Sequence, residues 1–148
     1  MKTKLCMLLL FVTAFVQAQI FEPVTWETAV KKISDTEYEL SATAKIESGW
    51  HLYSQSVPEG GPVATSFSFE GNSNYLKKGN TTEEAGHTIN DPIFEMKIKY
   101  FADKTTFKQR VKIRNTDAFQ IKGTVTFMVC DDSRCLPPSS VDLVFNIN

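Results

Sequence analysis

An all-β chain is what this sequence predicts, on three observations. Apolar and polar residues alternate strictly over several runs, turn-forming residues separate those runs, and no stretch keeps a helical period over three turns. The clearest run places Tyr38, Leu40, Ala42, Ala44 and Ile46 on one face and Glu37, Glu39, Ser41, Thr43 and Lys45 on the other. Successive side chains of a strand point to opposite faces, so this pattern describes a strand with one buried side. Many short strands with regular turns between them predict an antiparallel immunoglobulin-like β-sandwich, whose inner faces pack about 10 Å apart. A closed barrel is the alternative.

The chain opens on Met1-Lys2-Thr3-Lys4, runs through apolar residues from Leu5 to Phe15, and reaches Val16-Gln17-Ala18 before Gln19. Basic start, short apolar middle and small-residue cleavage site spell a secretory signal peptide over residues 1–18. The apolar run falls short of the roughly 20 residues a membrane span needs, and no later stretch is longer. The expectation is an exported mature chain with no membrane insertion, located in the periplasm. Residues 19–148 suffice for one domain with its own core. Loss of Lys2 and Lys4 with the leader leaves 14 cationic against 17 acidic side chains, and takes the formal charge from −1 to −3. That balance gives no electrostatic case for nucleic acid or an anionic membrane.

Strands are expected at 24–31, 38–46, 50–54, 65–69, 93–101, 107–114, 122–130 and 141–147, each alternating or rich in β-branched and aromatic residues. Turn chemistry separates them at Glu47-Ser48-Gly49, Pro58–Pro62, Glu70–Asn74, Lys78-Gly79-Asn80, Asn90-Asp91-Pro92 and Ala102-Asp103-Lys104. Lys108, Arg110, Lys112 and Arg114 form the solvated face of one strand, and Trp26 and Trp50 are expected in the core.

Cys6 leaves with the leader, so the mature chain holds two cysteines, Cys130 and Cys135, with Asp131-Asp132-Ser133-Arg134 between them. Across a four-residue hairpin loop the two would sit opposite each other, Cα atoms about 4.5–5.5 Å apart, which suits a disulfide. Such a bond closes a very small ring and therefore constrains the unfolded chain little. Sandwich domains that use a disulfide for stability join their two sheets, with cysteines many tens of residues apart. A bond at a polar hairpin tip is instead open to attack by a thiolate, and disulfides of that kind are the exchangeable ones. The rival reading is an exported binding module in which the bond is a local clip.

Pro137 and Pro138 follow at once, remove two backbone donors and favour a sheet edge. Asp131 and Asp132 would disfavour a thiolate at Cys130, whereas Arg134 would favour one at Cys135. Zinc takes four ligands, and only His51 and His87 could join the two thiols, so a metal site is the weaker reading and neither metal nor cofactor is expected. No nucleophile–base–acid set and no phosphate-binding glycine loop is present.

Three segments together resemble the N-terminal domain of the thiol:disulfide interchange protein DsbD. They are Phe127–Cys130 running to Cys135-Leu136-Pro137-Pro138, the Gly49-Trp50-His51-Leu52-Tyr53 motif, and Asn90-Asp91-Pro92-Ile93-Phe94 before a strand ending Tyr100-Phe101. The likeness covers nearly the whole mature chain in the same order. It implies a periplasmic module that takes electrons from a thioredoxin-like domain and passes them to periplasmic acceptors, including isomerases and cytochrome c maturation factors. By the same resemblance Cys135 forms the mixed disulfide with the partner and Cys130 resolves it. A cap segment, Asp91 to Phe94, shields the pair with the Phe94 ring, and Tyr53 and His51 line the site. Four residues lie between the cysteines, one fewer than in the best-known member. The sequence contains neither the family's membrane domain nor its C-terminal thioredoxin-like domain, so a separate membrane electron donor and thioredoxin-like partners are expected to serve a monomer.

Overall fold

A computed structural model describes residues 21–115 and 117–148. The expected signal peptide and Cys6 lie outside the described residues. The elements are β1 (Val24–Lys32), β2 (Glu37–Ile46), β3 (His51–Tyr53), β4 (Ser66–Phe69), β5 (Tyr75–Thr82), β6 (His87–Asp91), β7 (Met96–Phe101), β8 (Lys104–Ile113), β9 (Phe119–Phe127), β10 (Val129–Cys130) and β11 (Ser139–Ile147). Every named pairing is antiparallel. Among the described residues there is no helix, and none is long and apolar enough to cross a membrane.

One layer has the strand order β1-β2-β8-β5, and two smaller sheets, β11-β9-β4 and β10-β3-β7-β6, face it. All three feed one core, which joins Leu40, Ala42 and Ala44 of β2 and Phe107 and Val111 of β8 to Ile121 and Val125 of β9, Phe145 of β11, and Leu52 and Phe101 of the third sheet. The alternating faces read from the sequence are the ones buried, and the outward residues of β2 and β8 pair in water, Glu39 with Arg110 at 3.1 Å and with Lys108 at 3.7 Å. Trp26 packs against Phe67, Phe107 and Phe127. Along one side of the sandwich Thr28 Oγ1 donates to the Val144 carbonyl at 2.7 Å, tying β1 to β11.

Three expected boundaries are corrected. The expected 93–101 strand begins later: β6 ends at Asp91, where a turn was expected, and the turn over 92–95 leads to β7 at Met96, with Glu95 at φ 53°. Ile93 and Phe94 mimic a strand by being apolar, but Ile93 is exposed and Phe94 packs on the cluster around Tyr53 rather than joining a ladder. The 122–130 strand breaks at Met128 into β9 and β10, which belong to different sheets. Lys78-Gly79-Asn80, read as a turn, lies inside the edge strand β5 as a bulge, where Gly79 takes φ 65°. With Tyr75 its only buried residue, β5 shows no alternation to read. The buried Gln109 of β8 satisfies the bulge, donating to the carbonyls of Lys78 at 3.0 Å and Gly79 at 3.4 Å and accepting from Thr81 Oγ1 at 2.9 Å.

Candidate functional site: the cysteine hairpin and its aromatic cover

Strand alternation in the β10-β3-β7-β6 sheet divides its residues between two environments. Leu52, Phe101 and Val129 enter the main core, whereas Tyr53, Ile98 and Cys130 form a second cluster on the opposite face. Register fixes the neighbours: Cys130 lies opposite His51, and Tyr53 opposite Tyr100. Cross-strand partners share a face, so a motif spaced by twos on β3 brings His51 and Tyr53 to the side that carries the cysteine.

Cys130 and Cys135 face each other as an antiparallel bridge and are joined by a disulfide, with an S–S distance of 1.97 Å and Cα atoms 4.0 Å apart. That is closer than the 4.5–5.5 Å expected. The flanking hydrogen bonds, Asp131 N–H to the Arg134 carbonyl at 2.9 Å and Leu136 N–H to the Val129 carbonyl at 3.0 Å, place the pair at a non-hydrogen-bonded position, where strands approach most closely. Asp131 builds the tip, its Oδ1 accepting from the amides of Ser133 and Arg134, both at 2.8 Å. β10 is the end strand of its sheet and β11 of its own, which sets the proline pair between two edges.

The two sulfurs differ in access. Cys130 is 1% exposed, and Cys135 is half-buried. Arg134, expected to favour a thiolate at Cys135, donates to Asp131 Oδ2 at 3.3 Å and lies over the Trp50 ring at 5.6 Å, so the Asp131 carboxylate offsets its charge. The Ser133 amide, then the Arg134 amide and guanidinium, hold the exposed Asp131 carboxyl below the usual carboxylate range. Exposure, not charge, distinguishes the cysteines.

Asp91 organises the turn that follows β6. Its Oδ1 accepts the amides of Ile93 at 2.9 Å and Phe94 at 3.1 Å, its Oδ2 accepts the Tyr53 hydroxyl at 2.8 Å, and its carbonyl accepts Glu95 N–H at 2.8 Å. A 4%-exposed carboxylate thus fixes the turn and couples it to β3. Phe94 stands edge-on to Tyr53, ring centroids 6.2 Å apart, and packs with Met96, Met128, Val57 and Tyr100 on the cluster that contains Cys130. The His51 ring packs against Tyr100, centroids 4.3 Å apart and planes tilted by 48°. The geometry therefore brings together Cys130, Cys135, Tyr53, Asp91, Phe94 and His51.

Burial, then the bond to Asp91 and its charge, push the Tyr53 phenol well above its ordinary value of 10.0. A raised phenol favours the folded state below pH 10, and that contribution is lost as pH rises, because the unfolded chain ionises first. Stability should fall above pH 10 less steeply in Tyr53→Phe than in the wild type, by up to about 1.4 kcal/mol per pH unit. Urea denaturation between pH 9 and 11 measures it.

Other contributors escaped the sequence reading. Met96, Ile98 and Tyr100 are spaced by twos on the face opposite Phe101, a period-two signal that the sequence carries in the alternation with Lys97 and Lys99. The 54–65 loop has no periodicity to expose it. Ser54 Oγ, the Gln55 amide at 2.8 Å and Lys99 Nζ at 2.9 Å converge on Glu83, anchoring the loop's start. Burial pushes the Glu83 carboxyl up, but these three donors outweigh it and hold it below its ordinary value. Gly61 is required there, since a β carbon would lie 2.7 Å from Val57 Cγ1 and 3.2 Å from Met96 Sδ. Beyond Cys135, Leu136, Pro137 and Pro138 line a groove of about 490 Å³ together with Phe21 and Val24.

The structure is similar to the reduced-form N-terminal domain of DsbD from Neisseria meningitidis, at a TM-score of 0.58 and 13% identity, covering 84% of this chain and 88% of that one. It is similar also to the N-terminal periplasmic domain of ScsB from Proteus mirabilis, at a TM-score of 0.58 and 16% identity, where 86% of this chain covers only 47% of the other. A third similar structure, at a TM-score of 0.55 and 12% identity, comes from the complex between the DsbD and PilB N-terminal domains of Neisseria meningitidis, with 85% and 87% covered. No curated protein sequence matches the chain. At such identities the solved structures show a shared fold. The family model for the N-terminal region of thiol:disulfide interchange protein DsbD matches residues 19–145, nearly the whole chain beyond the expected leader. With the cysteine pair at its hairpin tip and this fold around it, the chain belongs to the family of DsbD N-terminal domains.

Proposed function

We propose that this protein is a periplasmic electron relay in which Cys135 attacks and Cys130 resolves. The carrying observation is the asymmetry of the pair: Cys135 is half-buried at the hairpin tip, and Cys130 is 1% exposed in a cluster on which Phe94 packs. In the reduced protein the Cys135 thiolate attacks a partner disulfide and expels one partner thiolate, forming a mixed disulfide. Cys130 then attacks the Cys135 sulfur, closes the Cys130–Cys135 bond and releases the second partner thiolate, so two electrons leave the pair. Run in reverse, a membrane electron donor or its thioredoxin-like domain reduces the pair.

Phe94 and the turn fixed by Asp91 cover Cys130 and slow adventitious oxidation, and the edge position leaves the hairpin tip clear for a docking protein. Thioredoxin-like partners are supported by family membership and by the solved complex of a DsbD N-terminal domain with a PilB N-terminal domain. The test mixes the reduced protein with an oxidised thioredoxin-fold protein and follows thiols on both by alkylation and mass. Stoichiometric transfer of two electrons is expected. No transfer, with the hairpin bond resisting dithiols, would favour a binding module with a local clip.

A further inference from the structure

His51 sits beside the reacting pair with no part in the relay as described. It lies directly opposite Cys130 in the β3–β10 pair, half-buried, with its ring against Tyr100. We propose that His51 accepts the proton of Cys130 when Cys130 resolves the mixed disulfide. The inference rests on the order of attack given above, Cys135 first and Cys130 second.

Cys130 is 1% exposed in an apolar cluster, and burial in such surroundings disfavours a thiolate. Its attack therefore needs a base already in place. Cross-strand neighbours hold their Cβ atoms about 4.5–5.5 Å apart, so a side-chain rotation from its place against Tyr100 brings the imidazole to the facing thiol. The other titratable and charged groups around His51 are otherwise engaged. Tyr53, on the same strand, donates to Asp91, whose oxygens are further occupied by the amides of Ile93 and Phe94. Tyr100 on β7 lies between His51 and His87 of β6, with ring centroids 4.3 and 5.7 Å away. Asp131 and Arg134 of the hairpin pair with each other. Imidazole is also the ordinary side chain that exchanges protons near neutral pH.

The Cys130 thiol gives its proton to the imidazole, and the thiolate attacks the Cys135 sulfur of the mixed disulfide. The Cys130–Cys135 bond forms as the Cys135–partner bond breaks, and the departing partner thiolate carries away the electron pair. The imidazolium returns its proton to that thiolate or to water.

The test uses the reduced mature protein and 5,5′-dithiobis(2-nitrobenzoate), which releases one coloured thiol when Cys135 attacks and a second when Cys130 resolves. His51→Gln should leave the first release unchanged and slow the second by about tenfold or more at pH 7. The wild-type rate of the second release should show an inflection between pH 5 and 8 that His51→Gln lacks, and added imidazole should restore part of the lost rate. His51→Asn, with thermal unfolding measured on both variants, guards against a folding defect. An unchanged second release, or both releases slowed alike with no imidazole rescue, would overturn the proposal. If Cys130→Ser holds no mixed disulfide, the order of attack itself fails, an outcome separate from the behaviour of His51.

Discussion

An Asp91→Ala variant is expected to be about 3 kcal/mol less stable than the wild type and to expose the cysteine pair, because one buried carboxylate satisfies three donors at once. Removing it strands the Tyr53 hydroxyl in an apolar cluster and frees the amides of Ile93 and Phe94, each costing on the order of 1 kcal/mol. The Pro92–Glu95 turn then loses its anchor, and Phe94 its fixed edge-on contact with Tyr53. Chemical denaturation gives the stability. Alkylation of the reduced protein gives the exposure, and Cys130 should react several-fold faster than in the wild type. Asp91→Asn keeps one acceptor oxygen and should fall between the two. A variant as stable and as well shielded as the wild type would contradict the role assigned to this carboxylate.

The second large effect separates the cysteines. Reduced Cys135→Ser should lose at least about two orders of magnitude in its reaction with an aryl disulfide, since the accessible nucleophile is gone and the remaining thiol is 1% exposed. Cys130→Ser should react at the wild-type rate but stop at the mixed disulfide, releasing one aryl thiol and retaining the other on Cys135. Intact mass distinguishes these products directly. Equal behaviour of both variants would remove the assignment of roles, whatever the reduction potential.

The sheet cores were legible from the sequence because period-two alternation survives where one face is buried, as in β2 and β8. The cysteine hairpin was legible because spacing, turn residues and the proline pair all act locally. What failed was structure held by side chains across distance. The β5 bulge depends on Gln109, thirty residues further on, and nothing in Lys78-Gly79-Asn80 announces a strand. The Asp91 turn resembles the start of a strand because Ile93 and Phe94 are apolar, Phe94 for its packing on the Tyr53 cluster and Ile93 while exposed. The charge reading of Arg134 failed for a related cause: sequence adjacency to Cys135 did not decide where the guanidinium points, and Asp131 and Trp50 did.

The reduction potential of Cys130–Cys135 in the purified mature protein tests the relay most directly, by equilibration in dithiothreitol or glutathione buffers and thiol counting. Exchange with thioredoxin-fold partners predicts a value between about −120 and −270 mV, within reach of their own potentials. A value well below about −300 mV would mark a structural bond and contradict the account.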